Sequence, residues 1–205
     1  IKTVTNCHNQ VFDNKDSCLN NLKINKEENE IVLITITSYY RHKNLEIIPK
    51  VIDEMLIIDP NIKVNFVLTI KEGQLNVKID KKIKKYMTFL GSVDINECPN
   101  LYNQSDFLFL PTLLECFSAS YPEAMISKTP IITSDLGFAK GICNDAAIYI
   151  NPLDPKHIAK KITGIITNQN QRKKLIESGL ERLKYFDNSK SRAKKYISIL
   201  ENFKD

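Results

Sequence analysis

Six short segments, 31–37, 64–70, 87–90, 106–110, 130–133 and 146–150, are apolar and rich in β-branched or aromatic side chains, with helical stretches between them. A strand that is apolar at every position, rather than at alternate ones, must be covered on both faces. Strands separated by helices join through right-handed crossovers and therefore run parallel. The expected fold is α/β: a Rossmann-like, doubly wound parallel sheet of about six strands with helices on both faces. The clearest helical period is at 45–58, where Leu45, Ile48, Val51, Ile52, Met55 and Leu56 share one face. Further helices are expected near 76–86, 96–103, 120–128, 155–167, 169–184 and 189–203.

Residues 1–28 are polar and irregular, and read as a linker with a leading strand. Residues 29–188 form the domain itself, and 189–205 a C-terminal helix. A length of 205 residues and 42% hydrophobic content suffice for a real core. The first residue is Ile1, so the chain reads as part of a longer polypeptide. Its charge of +5 comes from 29 basic and 24 acidic residues that are spread out rather than gathered into one arm. Nucleic acid is therefore not implied, while small anionic ligands and an acidic membrane surface stay compatible. Five cysteines, at 7, 18, 98, 116 and 143, form no CxxC pair or Cys/His cluster. No metal site is expected, and the odd, irregular count suits a reducing cytoplasm. Among six glycines there is no G-x-G-x-x-G, so any bound phosphate must be held by basic side chains and a helix N-terminus.

Three stretches could carry chemistry. The first, 113–123, holds Glu115 and Glu123 in a loop between an apolar strand and a helix. Ser120-x-x-Glu123 also fits a capping box. Glu115 has less structural excuse, and a carboxylate at a strand end can accept two vicinal hydroxyls. A paired acid and nucleophile of a glycosidase is a weaker alternative, since sequence does not fix the separation of the carboxylates. The second stretch, 37–44, contains Ser38, Arg41, His42 and Lys43, with Asn44 in place to cap the 45–58 helix. Basic residues just ahead of a helix N-terminus oppose its dipole, a conflict that a bound anion would remove. The third, 88–93, puts Gly91, Ser92 and Val93 after a strand, where Gly91 can serve a turn. His8, His42 and His157 carry no weight in this reading.

Together these stretches resemble the C-terminal, donor-binding domain of retaining GT-B glycosyltransferases of family 4, the group 1 transferases. That family carries E-x7-E, usually with Gly-Phe-Gly after the first glutamate, where this chain has Cys116, Phe117 and Ser118. Phe-Leu-Gly-x-Val is matched at 89–93 and the Lys-Asn pair by Lys43 and Asn44, while Ser38 stands where an arginine is usual. Val4 to His8, with Phe12, resembles the interdomain linker that usually reads Pro-Asn-Gly-Val. The resemblance implies one half of a GT-B fold, with residues 1–28 as interdomain linker and 189–205 packing back toward an N-terminal domain.

By the same resemblance, Glu115 contacts the donor sugar and Glu123 the ribose hydroxyls. Lys43, with Arg41 nearby, holds the diphosphate. The amides of Phe117, Ser118 and Ala119 meet sugar and pyrophosphate, and the backbone around Gly91, Ser92 and Val93 brackets the base. Glu115 and Lys43 are the candidate catalytic residues. The implied activity is hexosyl transfer from a nucleoside-diphosphate sugar to a hydroxyl, without metal or other cofactor. The acceptor would be a glycan or lipid-linked sugar held by the N-terminal domain. The implied setting is surface-polysaccharide synthesis in the cytoplasm, including the inner face of the membrane, where peripheral association is compatible. A sugar-nucleotide epimerase of the same fold and a non-catalytic nucleotide-sugar-binding module are the alternatives.

Overall fold

The computed structural model of the chain describes residues 3–14 and 18–202. The parts of the expected leading segment at 1–2 and 15–17, and of the C-terminal helix at 203–205, lie outside the described residues. Six parallel strands form one sheet in the order β3-β2-β1-β4-β5-β6: β1 (Ile31–Thr35), β2 (Val64–Leu68), β3 (Met87–Phe89), β4 (Phe107–Leu110), β5 (Ile131–Ser134) and β6 (Ala147–Ile150). Each strand was expected, and three, β1, β2 and β3, are shorter than their apolar segments at the carboxyl end. In β1 and β2 the hydrophobic run continues past the last ladder bond into the loop.

The faces divide by parity, as a pleated strand requires. Leu33, Phe66, Leu68, Phe107, Phe109 and Ile132 point to a layer that holds α1 (Ile48–Ile58), α2 (Lys81–Lys84) and α6 (Pro155–Ile166). Val32, Ile34, Val67, Leu108, Leu110 and Ile131 point to α3 (Cys98–Asn103), α4 (Ser120–Ile126) and α5 (Gly137–Cys143). Helix α7 (Gln169–Leu183) lies against α4, and α8 (Ser189–Glu201) has no buried residue. Phe66 and Phe109 meet edge to face across β2 and β4, with centroids 5.4 Å apart.

Several expectations need correction. The helix expected at 76–86 is four residues long, because Leu75, Val77 and Ile79 pack on the core at every second position rather than at helical spacing, and Asp80 caps a late start by accepting from the Lys82 amide. Helix α5 was not expected: with glycines at 137 and 141 its propensity is low, and packing of Ala139, Ile142 and Cys143 overrides it. No strand occurs among described residues 3–14 and 18–28. Side chains hold that segment instead. Glu97 accepts from the amides of Asn21 and Leu22, Gln104 accepts from Ile24, and Asp187 accepts from the amide and hydroxyl of Thr5.

Asn44 is the sharpest departure. It does not cap a helix; it is left-handed at φ 57°, between two 3-10 turns at 41–43 and 45–47, and α1 starts only at Ile48. Its side-chain amide donates to the carbonyls of Pro111 (3.1 Å) and Pro152 (2.7 Å), joining the loops that follow β1, β4 and β6. Both prolines are buried, so losing the donor leaves two acceptors unpaired. Asn44→Ala is expected to cost about 3 kcal/mol, of which the left-handed backbone accounts for about 1. Asn44→Gly should cost about 2. Urea unfolding followed by circular dichroism checks both values, and equal losses would show that backbone strain plays no part.

Candidate functional site

In this strand order the chain leaves β1 toward one helical layer and β4 toward the other. The loops after these two strands therefore diverge at the carboxyl edge of the sheet and open a crevice there. The loops are 36–44 and 111–119, the two that hold most of the candidate residues.

Hydrogen bonds from small polar side chains set their positions. The Thr35 hydroxyl donates to the Phe109 carbonyl at 2.6 Å, and Ser120 donates to the carbonyl of Ile36. The His42 carbonyl accepts from the Leu113 amide at 2.7 Å and from the Thr112 hydroxyl. Ser134, at the end of β5, donates to the carbonyl of Thr112 at 2.6 Å. With the Asn44 clasp, these bonds bring Lys43 of one loop against Glu115 of the other. The Lys43 ammonium and the Glu115 carboxylate form an ion pair, the two side chains only 13% and 12% exposed.

The remaining candidates of the first loop, Ser38 and Arg41, are exposed. Arg41 and Lys43 lie on a 3-10 turn rather than at a helix start, so they do not oppose the α1 dipole as their spacing suggested. Tyr40 and His42 stack beside them at 5.5 Å. In the second loop Cys116 is exposed, Phe117 rests edge-on against Phe186 at 5.9 Å, Ser118 is buried, and Ala119 immediately precedes α4. Gly91 has φ +73°, a left-handed turn after β3 in which its amide donates to the Ile70 carbonyl. Ser92 is exposed and Val93 packs on the core. These residues sit at the carboxyl end of β3, on the same edge of the sheet as the two loops.

Glu123 is placed differently from Glu115. It is 6% exposed, inside α4, and Ser120 forms no capping box with it. Its partners are the Tyr102 hydroxyl, 3.5 Å from Oε2, and the backbone amide of Asn9 from the N-terminal segment. Burial pushes its carboxyl above the ordinary range, opposed by the Asn9 amide, by the charge of His8 and by Tyr102. The two carboxylates of the 113–123 stretch thus have separate partners. His8, given no weight in the sequence reading, is buried, and its charge acts on the Glu123 carboxyl. Its place at the end of the linker-like Val4–His8 run was the available signal.

Among the described residues no three His, Cys, Asp or Glu side chains converge as metal ligands. No helix of the described residues is long and apolar enough to cross a membrane. The five cysteines are unpaired.

Residues 20–182 match the family described as glycosyl transferases group 1. The chain is 28% identical over 146 residues to the O-antigen chain mannosyltransferase RfbU of Salmonella typhimurium, covering 69% of this chain and 40% of that protein. The sucrose-phosphate synthase of Thermosynechococcus elongatus superposes with a TM-score of 0.69 at 18% identity, over 87% of this chain and 47% of that one. A structure of S. aureus TarM with fondaparinux, alpha-GlcNAc-glycerol and UDP superposes with a TM-score of 0.69 at 16% identity, over 85% and 37%. The chain spans about 40% of the length of the curated relatives it matches. With a family match over most of its length and the matching six-stranded parallel sheet, the chain belongs to the group 1 glycosyltransferases.

Proposed function

We propose that this chain is the donor-binding half of a retaining glycosyltransferase that moves a hexose from a nucleoside-diphosphate sugar to an acceptor hydroxyl. The observation that carries the reading is the Lys43–Glu115 ion pair in the crevice between the β1 and β4 loops. A fixed cation beside a carboxylate suits a ligand in which a diphosphate adjoins a ring of hydroxyls: the ammonium takes the phosphate oxygens and the carboxylate accepts from the sugar. Arg41, exposed two residues before Lys43, adds a second cation for the same group. Glu123 takes the ribose. The loop at Gly91–Val93 receives the base through its backbone.

In the transfer step the bond between the anomeric carbon and the β-phosphate oxygen breaks, and the acceptor oxygen bonds to the same face of that carbon. The acceptor proton passes to the departing phosphate. Charge accumulates on the nucleoside diphosphate as it leaves, and Lys43 stabilises that charge. Preorganised groups of this kind are worth roughly 3–4 kcal/mol each. Glu115 is committed to Lys43 and to sugar hydroxyls, so the step needs no protein nucleophile. The acceptor, a glycan or lipid-linked sugar, is held by a further domain across the crevice. The name of RfbU, an O-antigen chain mannosyltransferase, supports a role in surface polysaccharide and a hexose donor. We place the reaction in the cytoplasm, at the inner face of the membrane, with no metal or other cofactor.

Titration calorimetry of the chain with UDP, GDP and ADP is expected to show saturable binding of one of them. Lys43→Ala should weaken it more than tenfold while leaving the free nucleoside unaffected. Failure of all three nucleotides to bind would overturn the donor-site assignment. The chain alone should transfer no sugar above a Lys43→Ala control, and measurable transfer would place the acceptor site within these residues.

Glu123 separates function from stability. Its folded pKa is raised, so the ionised form is disfavoured by folding. Stability is therefore full below the ordinary carboxyl value and declines as pH rises through the raised one. Glu123→Gln removes that decline. The variant should melt at a higher temperature than the unaltered chain at neutral pH, match it in acid, and lose affinity for the nucleotide. A lower melting temperature at neutral pH would show that the Tyr102 and Asn9 hydrogen bonds outweigh the burial of charge.

A further inference from the structure

Hydrogen bonds fasten the first half of the loop after β4 and leave the second half without them. Thr112, Leu113 and Glu115 are tied to His42 and Lys43 of the β1 loop. Beyond them, the amides of Cys116, Phe117, Ser118 and Ala119 donate to no acceptor among the described residues. Such a stretch is held only as firmly as its side chains pack.

Phe117 supplies that packing. Its half-buried ring meets Phe186 with centroids 5.9 Å apart and planes at 68°, the edge-to-face arrangement that aromatic rings prefer. Phe186 is itself braced. The Arg182 guanidinium stands over its ring at 5.6 Å. That guanidinium is pinned by hydrogen bonds to the carbonyls of Ile142 (2.8 Å) and Gly141 (2.6 Å) in the last turn of α5. Next in the chain, Asp187 accepts from the amide and hydroxyl of Thr5, from Ser191 and from Lys195. The ring is therefore fixed from α5 on one side and from the N-terminal segment on the other. Phe186 lies past the residues, 20–182, over which the family matches.

We infer that Phe186 is a positioning residue of the donor site: by bracing Phe117 it sets where the amides of Phe117, Ser118 and Ala119 stand for the sugar and the diphosphate. The assignment rests on the donor-binding reading above and adds to it a residue that touches no ligand. On that reading the base and the ribose are received elsewhere, at Gly91–Val93 and at Glu123. Loosening the contact between the two rings therefore acts on the groups beyond the α-phosphate more than on the nucleoside.

The test is calorimetric titration with UDP, GDP and ADP and with the matching monophosphates. It is run on the unaltered chain, Phe186→Leu, Phe186→Tyr, Phe117→Leu and the Phe117→Leu/Phe186→Leu double variant. In the unaltered chain the diphosphate that binds should bind more tightly than its monophosphate. Phe186→Leu keeps an apolar contact and loses the ring, so the ratio of the two affinities should fall about fivefold, the scale of one aromatic pair. Phe186→Tyr keeps the ring and should restore most of the ratio. Phe117→Leu should lower it by the same factor, and the double variant no further, since both changes remove one contact. Phe117→Leu also carries the test if Phe186→Leu does not fold. A purely structural Phe186 would lower the melting temperature of Phe186→Leu with the ratio unchanged, and that result overturns the inference. Equal losses for diphosphate and monophosphate, or additive losses in the double variant, overturn it as well. Binding of no nucleotide by the unaltered chain overturns it together with the donor site.

Discussion

A parallel sheet cannot leave a face to water, and this chain is organised around meeting that demand. β2, β4 and β5 are buried at every position, so helices must lie on both sides and the crossovers must change sides once. The change falls between β3 and β4, and its consequence in space is the divergence of the loops after β1 and β4. Polar backbone then meets solvent mainly at the strand ends. Threonines, serines and Asn44 satisfy it there, through bonds from Thr35 to Phe109, Ser134 to Thr112 and Asn44 to two proline carbonyls. The same bonds that settle the sheet edge fix the geometry of the crevice.

Charge is distributed unevenly over that frame. At the amino edge of the sheet, Asp106 accepts from Lys26, Arg172 and the Val32 amide, and these partners hold its carboxyl below the ordinary range against the opposing effect of burial. That cluster is fully paired and ties α7 and the N-terminal segment to β1 and β4. At the carboxyl edge the arrangement is less complete. Glu123 is buried without a cation in direct contact, and His8 keeps an unpaired nitrogen.

Much of this was legible in the residues. Six apolar runs with helices between them specify a doubly wound sheet, and all six strands lie where those runs are. Lys43 and Glu115, 72 positions apart, were both singled out as chemically suggestive, and they meet. What failed to show has physical causes. Asn44 satisfies the preferences of a helix cap and of a left-handed turn equally well, and only the two proline carbonyls decide between them. Ser120-x-x-Glu123 has the spacing of a capping box, yet the serine hydroxyl is drawn to Ile36 of a neighbouring loop. Helix α5 is too short and glycine-rich to carry a period. The hydrogen bond from the Asn9 amide to Glu123 joins segments more than a hundred positions apart in sequence, which no local pattern encodes.

The Lys43–Glu115 pair has a consequence for turnover. On the proposed reading, a ligand that offers only an anion must pull the ammonium away and leave Glu115 desolvated with nothing in exchange. A nucleotide sugar compensates both partners at once, so inorganic phosphate competes poorly with it. Once the sugar has been transferred, the nucleoside diphosphate becomes a ligand of the first kind, and Glu115 recaptures Lys43. The pair is then an internal competitor for the spent leaving group, and its strength sets how quickly the crevice empties for the next cycle.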